Sequence, residues 1–464
     1  MPGVRFRICG IFGLISALSC WGASFGTVVP INGTVSDIAL DERRNVVWAA
    51  NFSAYRVEQV DLATKTLLKP RTVPMPPSAV ALSPDHRFLV VGEYQKPDPA
   101  ELSINPFAKE SGGYTLFDLD ANLRYDVNLN SPVLAVAFGA DGKALIVTRA
   151  PAVDPQNPGP LTNLFVLEPF PYQTLTGISS IGADSDDLPV PLVTFPTQII
   201  QAAIAVSGDG QTIEVLASIS SKTVLIRYHV STGVAAIDAA ITASPVLGPA
   251  SLSVDQTTDN VLAGWVMFHR LASGRLHHWA EFPYPDGALN IGSHAWDLTR
   301  GLVYAQIPTS DDIIPALHVM ATDNLAVYKR LQLAENLSGK SQMSNDGQAI
   351  YSASVSGVTI LPIGQLPNLP QVGFSQEDML FATDACNQLV VKQLLNIISL
   401  SSVNTDFSLS LPTGTTGVTL SATSGTTPAQ VMVTIDPAAF QGAKGTTSIP
   451  LALTSMGAVN LPAP

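Results

Sequence analysis

The sequence predicts an all-β protein, because a β-rich unit repeats along most of the chain and polar turns separate its strands. Hydrophobic residues make up 46% of the 464 residues and charged residues only 13%, while glycine and proline number 34 and 35. This composition is typical of many short strands joined by tight turns. Helical periodicity is nearly absent from the repeated part, which further favours strands.

Each repeat begins with a short alternating strand that ends at an apolar residue just before a polar turn. The segment AVALSPDHRFLVVGEY (79–94) is a clear copy, and the turns SPDH, GADG, SGDG and SNDG contain residues that accept turn backbone angles easily. The apolar residues before the turns are Leu40, Leu82, Phe138, Val206, Val254, Leu298 and Met343. Periods of about 40–50 residues are typical of propeller blades. The sequence therefore predicts a seven-bladed β-propeller over residues 26–366.

The residue before each of these apolar positions is small in the first five units. The residues in question are Ala39, Ala81, Ala137, Ala205 and Ser253. Small residues on one face of the innermost strand let the next blade approach. In the sixth and seventh units Asp297 and Gln342 stand at this position, and a carboxylate there could face a ligand in the axial channel or bond to a neighbouring blade.

The last unit has three strands and the segment GTVVPING (26–33) precedes the first unit as an orphan strand. We expect this segment to become the outer strand of the last blade, because that pairing closes the ring and removes an open edge.

The repeats NVVWAANFSAYRVEQVDLATKTLL and PSAVALSPDHRFLVVG resemble the YVTN-type repeats of secreted bacterial seven-bladed propellers. The resemblance covers roughly residues 26–366. It implies the architecture but not one activity, since similar propellers include binding scaffolds, surface proteins, and lactonase-like and quinoprotein-like enzymes.

A second β module follows a linker, PNLPQVG, at 367–373. Residues 374–464, and SGTTPAQVMVTIDPAAF above all, resemble a BACON-like immunoglobulin-type β-sandwich. Its name implies carbohydrate binding, but this segment contains no tryptophan. One more strand of the sandwich is expected after NLPAP. The sandwich is therefore predicted either to be incomplete here or to continue in a longer chain.

The N-terminus predicts export. Arg5 and Arg7 precede an apolar stretch from Ile8 to Ala23, which is the order of a secretory signal peptide, so residues 1–24 are predicted to be removed. The stretch is short for a membrane helix, and no membrane span is predicted in the mature chain. A membrane anchor remains the alternative.

Cysteine usage agrees with a bacterial exported protein that lacks internal disulfides. Cys9 and Cys20 lie in the predicted signal, so Cys386 alone remains afterwards. The segment Ala17–Cys20 loosely resembles a lipobox, which leaves a lipoprotein anchored through Cys20 as a second possibility. The predicted location is the outside of the cell, the cell surface or the periplasm.

Charge excludes one class of partner. The formal net charge is −13 and there is no basic stripe, so binding to nucleic acid is not expected.

Sequence motifs for catalysis are absent. The chain has no GxSxG, HExxH, P-loop or CxxC motif, and no GxGxxG in a strand–turn–helix context, so no cofactor and no metal are predicted. Six of the seven histidines fall between residues 229 and 318, and neutral imidazole can bind a transition metal or act as a base. The candidate catalytic residues are His269, His278, His294 and Asp297, although packing and solvated loops explain the same residues. The acidic segments ADSDD (183–187) and SDDI (310–313) lack the spacing of a calcium site.

Three functions follow as hypotheses. The first is an exported, non-catalytic binding or cell-surface scaffold with an unknown protein or glycan partner. The second is an enzyme, lactonase-like or quinoprotein-like, with a site at the mouth of the axial channel. The third is carbohydrate binding through the C-terminal module. Convergence of the four candidates on one mouth would favour the enzyme, and their separation would favour the scaffold.

Overall fold

The computed structural model describes residues 23–105, 109–153, 155, 160–171, 173–178, 180–183, 195–219, 222–241, 251–272, 274, 276–282, 292–308, 314–376, 378–382, 389–441 and 445–462. They divide into two compact units. The first contains Ser24–Leu369 together with Val459–Pro462, and the second contains residues 370–458. The predicted signal peptide lies almost wholly outside the described residues, as does Cys386.

The first unit begins with β1 (Thr27–Pro30) and continues into a series of antiparallel sheets. Sheet 1 comprises β2 (Val35–Asp41), β3 (Val46–Asn51), β4 (Arg56–Asp61), β5 (Thr66–Leu67) and β6 (Arg71–Thr72). Sheet 2 comprises β7 (Pro77–Leu82), β8 (Phe88–Gln95), β9 (Ser111–Asp118) and β10 (Leu123–Asn128). Sheet 3 comprises β11 (Val133–Phe138), β12 (Ala144–Ala152), β13 (Thr162–Glu168) and β14 (Thr174–Gly177). A short helix, α1 (Pro99–Ile104), lies in the insertion between β8 and β9.

Four more sheets follow. Sheet 4 comprises β15 (Ile181–Ala183), β16 (Gln201–Val206), β17 (Thr212–Ile219), β18 (Lys222–His229) and β19 (Val234–Ile241), with β15 parallel to β19. Sheet 5 comprises β20 (Leu252–Val254), β21 (Asn260–Ala263), β22 (Val266–Arg270) and β23 (Leu276–Glu281). Sheet 6 comprises β24 (Ser293–Asp297), β25 (Leu302–Gln306), β26 (Ala316–Ala321) and β27 (Val327–Gln332). Sheet 7 comprises β28 (Leu337–Met343), β29 (Ile350–Ser354), β30 (Gly357–Leu361) and β1.

These sheets stand in a ring. The inner strand of each sheet contacts the inner strand of the next, and β28 of sheet 7 contacts β2 of sheet 1. The inner strands are β2, β7, β11, β16, β20, β24 and β28. A closed ring of small antiparallel sheets is the arrangement of a β-propeller, as the sequence predicts.

The apolar core lies between neighbouring sheets. Trp48 and Val57 of sheet 1, for example, pack in one cluster with Leu89 and Phe117 of sheet 2. Trp48 is 1% exposed, and burial of large apolar side chains of this kind contributes about 1.5–3 kcal/mol each. Because each sheet is covered on both faces, its central strands are apolar throughout rather than alternating.

The predicted closing strand is present. Strand β1 pairs antiparallel with β30, in the register Val29 to Val358 and Pro30 to Gly357. Sheet 7 therefore combines three strands from the end of the repeat with one strand from its beginning, which seals the ring with backbone hydrogen bonds.

The inner strands follow the predicted register in six sheets and differ in one. In sheet 1, Leu40 and Asp41 pair with Val47 and Val46, so the turn starts at Asp41. In sheet 6 it is Asp297 that pairs with the first residue after the turn. The residue equivalent to Leu40 is therefore Trp296.

The prediction that Leu298 is the apolar residue before the turn is consequently wrong by two residues. Ala295 occupies the small-residue position in sheet 6, and Asp297 is the counterpart of Asp41. The hydrophobic pattern predicts the wrong register because Leu298, although apolar, lies in the turn and is exposed.

The second unit contains two sheets. One comprises β31 (Val372–Phe374), β32 (Val391–Ser399), β34 (Val418–Leu420) and β36 (Ala429–Ile435). The other comprises β33 (Asp406–Ser410), β35 (Ser424–Thr426) and β37 (Ala452–Thr454). Side chains from both sheets form one core cluster that includes Ile397, Phe407 and Val431.

Two boundaries of the predicted domains differ from the structure. Residues 372 and 373 of the predicted linker belong to β31, which pairs with β32. In addition, Val459–Pro462 belongs to the first unit, where the carbonyl of Val459 accepts a hydrogen bond from Gln332 and the backbone N–H of Leu461 donates to Arg330. This segment lies beside β27, whereas the sequence analysis assigns it to the sandwich.

The close approach of β1 to Gly357 gives a test of ring closure. A Cβ atom at Gly357 would lie 2.1 Å from the carbonyl oxygen of Val29 and 2.9 Å from the backbone nitrogen of Ile31. We expect Gly357→Ala to displace β1 and to lower the free energy of unfolding by about 1–3 kcal/mol, measured by urea denaturation. Gly182→Ala is the matched control, since a Cβ there meets no atom within 4 Å. Equal midpoints for the two variants would contradict the tight seam.

Candidate functional site

Asp297 lies at the end of β24 and holds an arginine in place. Its side chain is buried, and its two oxygens accept hydrogen bonds from the backbone N–H of Arg300 (3.0 Å) and from Arg300 Nη1 (2.5 Å). The same Nη1 also donates to the carbonyl of Gly347 in the turn of sheet 7, at 2.9 Å. The hydrogen bond with Asp297 raises the pKa of Arg300 above its ordinary value. Asp297 thus connects the turns of two neighbouring sheets.

The same arrangement occurs in sheet 1. Asp41 accepts hydrogen bonds from the backbone N–H of Arg44 (3.1 Å) and from Arg44 Nη1 (3.0 Å), and that Nη1 donates to the carbonyl of His86 in the turn of sheet 2. We call the pairs Asp41–Arg44 and Asp297–Arg300 the turn clamps. Both read D-x-x-R in the sequence, DERR and DLTR, a signal that the correct register would have revealed.

His294 is buried between sheets 5 and 6. Its Nδ1 lies 2.6 Å from the hydroxyl oxygen of Ser253 on β20, so this contact joins two inner strands. Burial lowers the pKa of His294 to about 3, and the side chain is therefore neutral at neutral pH. A base with so low a pKa accepts protons poorly, and its burial keeps solvent away.

His269 and His278 lie on the outer half of sheet 5. His269 on β22 contacts Asn260 Oδ1 through Nδ1 at 2.8 Å, and its ring lies 5.1 Å from that of Trp279. His278 on β23 is exposed and forms a 3.0 Å contact with Glu281. Neither residue lines the axial pocket described below. The four candidates are therefore not brought together at one site.

The structure has a pocket at the axis of the ring that the sequence did not reveal. Its cavity volume is about 70 Å³, and it is partly open to solvent. The lining residues are Ser36, Asp37, Ser78, Ala79, Leu134, Ala135, Ala202, Ala203, Ile204, Leu252, Gly339 and Lys340. These residues lie on six inner strands, toward the starts of the longer ones, whereas the turn clamps lie at the strand ends.

Asp37 and Lys340 are the charged residues of this pocket. Lys340 Nζ lies 3.2 Å from Asp37 Oδ1 and donates to the carbonyl of Val80 at 3.0 Å. Asp37 Oδ2 in turn accepts from the backbone N–H of Val80 at 2.8 Å. The pair therefore connects sheets 7, 1 and 2, and its charges cancel.

Two serines of the pocket also bond to the next sheet. Ser36 Oγ donates to the carbonyl of Pro77 at 2.7 Å, and Ser78 Oγ donates to the carbonyl of Val133 at 2.5 Å. Each serine is the extra residue of a β-bulge at the start of its inner strand. A bulge redirects a side chain, which here aims each hydroxyl at the neighbouring strand.

Sheets 4 and 5 are joined by four buried charged residues. Arg227 contacts Glu214 at 3.2 Å and Asp238 at 2.9 Å, and Arg270 from sheet 5 contacts Asp238 at 2.7 Å and Glu214 at 3.4 Å. The formal charges sum to zero, so the cost of burying each charge is offset by a partner. The sequence gives no indication of this network, because consecutive members are separated by 11 to 32 positions along the chain.

Glu93 forms an unusual hydrogen-bonded group with Thr115 and Asp126 in sheet 2. Thr115 Oγ1 lies 2.6 Å from Glu93 Oε1 and 2.7 Å from Asp126 Oδ1. A hydroxyl has one proton, so it can donate to only one carboxylate, and the other contact requires a protonated carboxyl group. Burial raises the pKa of Glu93 to about 7, with Asp126 adding to the rise. Burial also acts on Asp126, but hydrogen bonds from Arg124 and Thr115 outweigh it and lower the pKa of Asp126. Of the two carboxyl groups, Glu93 is therefore the one that binds a proton at the higher pH.

Within the described ranges, no group of three or more His, Cys, Asp or Glu side chains is arranged to hold a metal ion. No helix in the same residues has the length and the hydropathy needed to cross a bilayer. The acidic segment 310–313 and most of the acidic segment 183–187 lie outside the described residues.

Known proteins similar to this chain are found among solved structures. No family model matches the chain, and no curated protein matches its sequence. The β-propeller domain of Cps50 (Swd1) from Myceliophteria thermophila matches with 10% identity and a TM-score of 0.48, over 72% of this chain and 98% of that one. Hydrazine synthase from Kuenenia stuttgartiensis matches with 13% identity and a TM-score of 0.49, over 75% and 99%. The closed ring of sheets itself defines the first unit as a β-propeller.

The turn clamp of Asp297 gives a stability prediction. Asp297→Asn keeps an acceptor for the backbone of Arg300 but removes the buried charge that holds the guanidinium. We expect the free energy of unfolding to fall by about 1–3 kcal/mol, measured by urea denaturation at pH 7. Asp323→Asn, in an exposed turn of the same sheet, is the control and should change stability by less than about 0.5 kcal/mol. An unchanged midpoint for Asp297→Asn would contradict the structural role.

Glu93 gives a prediction of pH dependence. Its carboxyl has a pKa of about 7 in the folded protein and an ordinary value of 4.5, so the folded chain holds a proton that the unfolded chain releases. The stability from this group is complete below pH 4.5 and is lost as the pH rises to 7, by about 3 kcal/mol. Glu93→Gln resembles the protonated form. We expect it to be more stable than the wild type at pH 8 and equally stable at pH 4.

The measurement is urea denaturation between pH 4 and 8, and the difference between wild type and Glu93→Gln isolates the titration of this group. Asp126→Asn is the control. It removes the negative charge that Arg124 contacts and should lower stability at pH 8. A difference that does not change with pH would show that Glu93 is ionised in the folded protein.

Proposed function

We propose that this protein is an exported, non-catalytic binding scaffold, built on a seven-bladed β-propeller of the YVTN-like type. The blade number rests on the ring of seven sheets that the described residues form. The C-terminal unit is proposed to be a BACON-like immunoglobulin-type sandwich, in keeping with its two packed sheets. Export rests on the signal-like sequence of residues 1–24 alone.

One observation carries the binding role: polar side chains around the propeller axis bond to neighbouring sheets. Asp37, Lys340, Ser36 and Ser78 each contact a strand of another sheet. Side chains used in this way hold a rigid ring. We therefore expect the binding function to lie on the surface and loops of the ring, as is common for rigid scaffolds.

The enzyme alternative receives less support. A site at one mouth of the axial channel requires the candidates to meet there, but Asp297 lies in a turn clamp and His294 is buried and neutral. His269 and His278 lie on the outer strands of sheet 5.

Carbohydrate binding through the C-terminal unit also receives less support. That role needs an exposed aromatic platform. Among the described residues of the unit, the aromatic side chains are Phe374, Phe381, Phe407 and Phe440, and each is buried or half-buried.

Two measurements test the proposal. In the first, the full chain is expressed in a bacterial host and the intact mass of the secreted protein is measured. We expect the mass of a chain cleaved near Phe25.

The second measurement is thermal unfolding of the protein in the presence of ligands. Quinone cofactors, transition metals and EDTA should leave the midpoint unchanged. A protein or glycan ligand should raise it, by an amount equivalent to about 2.7 kcal/mol at a hundredfold excess over the dissociation constant.

Two outcomes would overturn the proposal. Retention of residues 1–24 on a cytoplasmic protein would contradict export. A midpoint raised by a quinone or metal, together with turnover of a lactone or an alcohol, would establish the enzyme. The variants His294→Gln and Asp297→Asn then separate catalysis from packing, because only a catalytic role predicts a lost rate in a variant that remains folded.

A further inference from the structure

Trp279 is an exposed aromatic side chain on the outer strand of sheet 5. On β23, His278 pairs with Phe268 and Ala280 pairs with Met267, so Trp279 is the extra residue of a β-bulge. Its side chain is 55% exposed, whereas the other described tryptophans are buried or half-buried. Since bulges redirect side chains, the backbone itself presents this indole to solvent.

Tyr328 occupies the equivalent position in sheet 6. On β27 it lies between Val327 and Lys329, which pair with successive residues of β26, so it too is the extra residue of a bulge. Tyr328 is 67% exposed. Followed across the sheet, the bulge in β23 lines up with the second and third residues of β21. The bulge in β27 lines up in the same way with the second and third residues of β25. Two neighbouring sheets therefore present an aromatic ring to solvent through the same backbone device.

The indole of Trp279 is fixed in orientation. Its Nε1–H donates to the carbonyl of Asp323 at 2.7 Å, and its ring lies 5.1 Å from the ring of His269. His269 is itself fixed by Asn260: because Asn260 Nδ2 donates to Asp255, its Oδ1 accepts from His269 Nδ1–H. An exposed ring that is already immobilised loses little entropy when it binds a ligand.

The surroundings of Trp279 indicate the class of ligand. The exposed neighbours on the same strand, or on the turn that accepts its indole N–H, are all polar: His277, His278, Glu281, Asp323 and Asn324. The residues that dominate protein–protein binding lie in pockets that neighbouring contacts shield from water, unlike the exposed setting of Trp279. A sugar ring has an apolar C–H face that can stack on an aromatic ring and a perimeter of hydroxyl groups that needs polar partners. The net charge of −13 disfavours an anionic glycan.

We propose that Trp279 and Tyr328 form an aromatic platform for a neutral polysaccharide on the outer edge of the propeller. This inference rests on the proposed binding function and names its ligand class and its site. It differs from carbohydrate binding through the C-terminal unit, because the platform lies on sheets 5 and 6.

Affinity electrophoresis of the full chain tests the platform, with xylan, mannan, β-1,3-glucan and starch in the gel and with sedimentation on cellulose. We expect at least one of these polysaccharides to retain the wild type and to change its tryptophan fluorescence. Trp279→Ala should weaken retention about tenfold and abolish the fluorescence change, and Tyr328→Ala should weaken it about threefold. Trp279→Phe keeps an aromatic face and should retain more affinity than Trp279→Ala.

Tyr55→Ala is the matched control, since Tyr55 is an exposed aromatic residue in sheet 1. It should bind like the wild type, and all variants should keep the wild-type unfolding midpoint. Equal binding by Trp279→Ala and wild type would refute the platform while leaving the scaffold function intact.

Absence of binding to every polysaccharide would refute the glycan class. A photo-crosslinker at position 328 that captures a protein, with capture lost in Trp279→Ala, would show that the surface binds protein instead. Loss of the scaffold function itself has a separate signature, namely an unprocessed N-terminus or substrate turnover.

Discussion

Closure of the ring is the constraint on which the other features depend, because the last sheet must meet the first as closely as any neighbouring pair. Inner strands can approach only where small side chains face the next sheet, which explains Ala39, Ala81 and Ala137. At the seam the chain adds polar bonds: Gln342 Oε1 accepts from the backbone N–H of Leu40 at 2.6 Å, and Lys340 reaches Asp37. The seam is therefore held by side chains near the axis as well as by β1 at the rim.

Polar side chains join neighbouring sheets at the inner strands and, between sheets 4 and 5, on the strands behind them, and the chemistry varies with burial. Toward the strand starts, serines donate to backbone carbonyls and a single ion pair spans three sheets. At the strand ends, the turn clamps use an arginine that remains partly exposed. Where the contact is most deeply buried, between sheets 4 and 5, four charges compensate one another. In each case a polar group of one sheet gains a partner from the next sheet.

Periodic features could be predicted from the sequence, and features that depend on two sheets could not. The turns and the closing strand follow from local chemistry and a simple count of strands. Bulges such as those at Ser36 and Trp279 leave no periodic trace, because one extra residue only interrupts the alternation. The sequence predicts Asp297 at the small-residue position of sheet 6, and this is wrong: the register differs by two residues, so that Asp297 is the counterpart of Asp41. The protonation of Glu93 depends on a threonine and an aspartate from other strands, which no single segment of sequence reveals.

The pairing of β1 with β30 also affects the rate of folding. The two strands are separated by more than 300 residues, and loop-closure entropy and high contact order slow the formation of such contacts. During synthesis, β1 emerges first and has no partner until almost the whole first unit has been made. A chain that cannot seal its ring early stays open for longer. It also leaves an edge strand exposed in the meantime, and the short length of β1, four residues, limits the hazard of pairing with another chain.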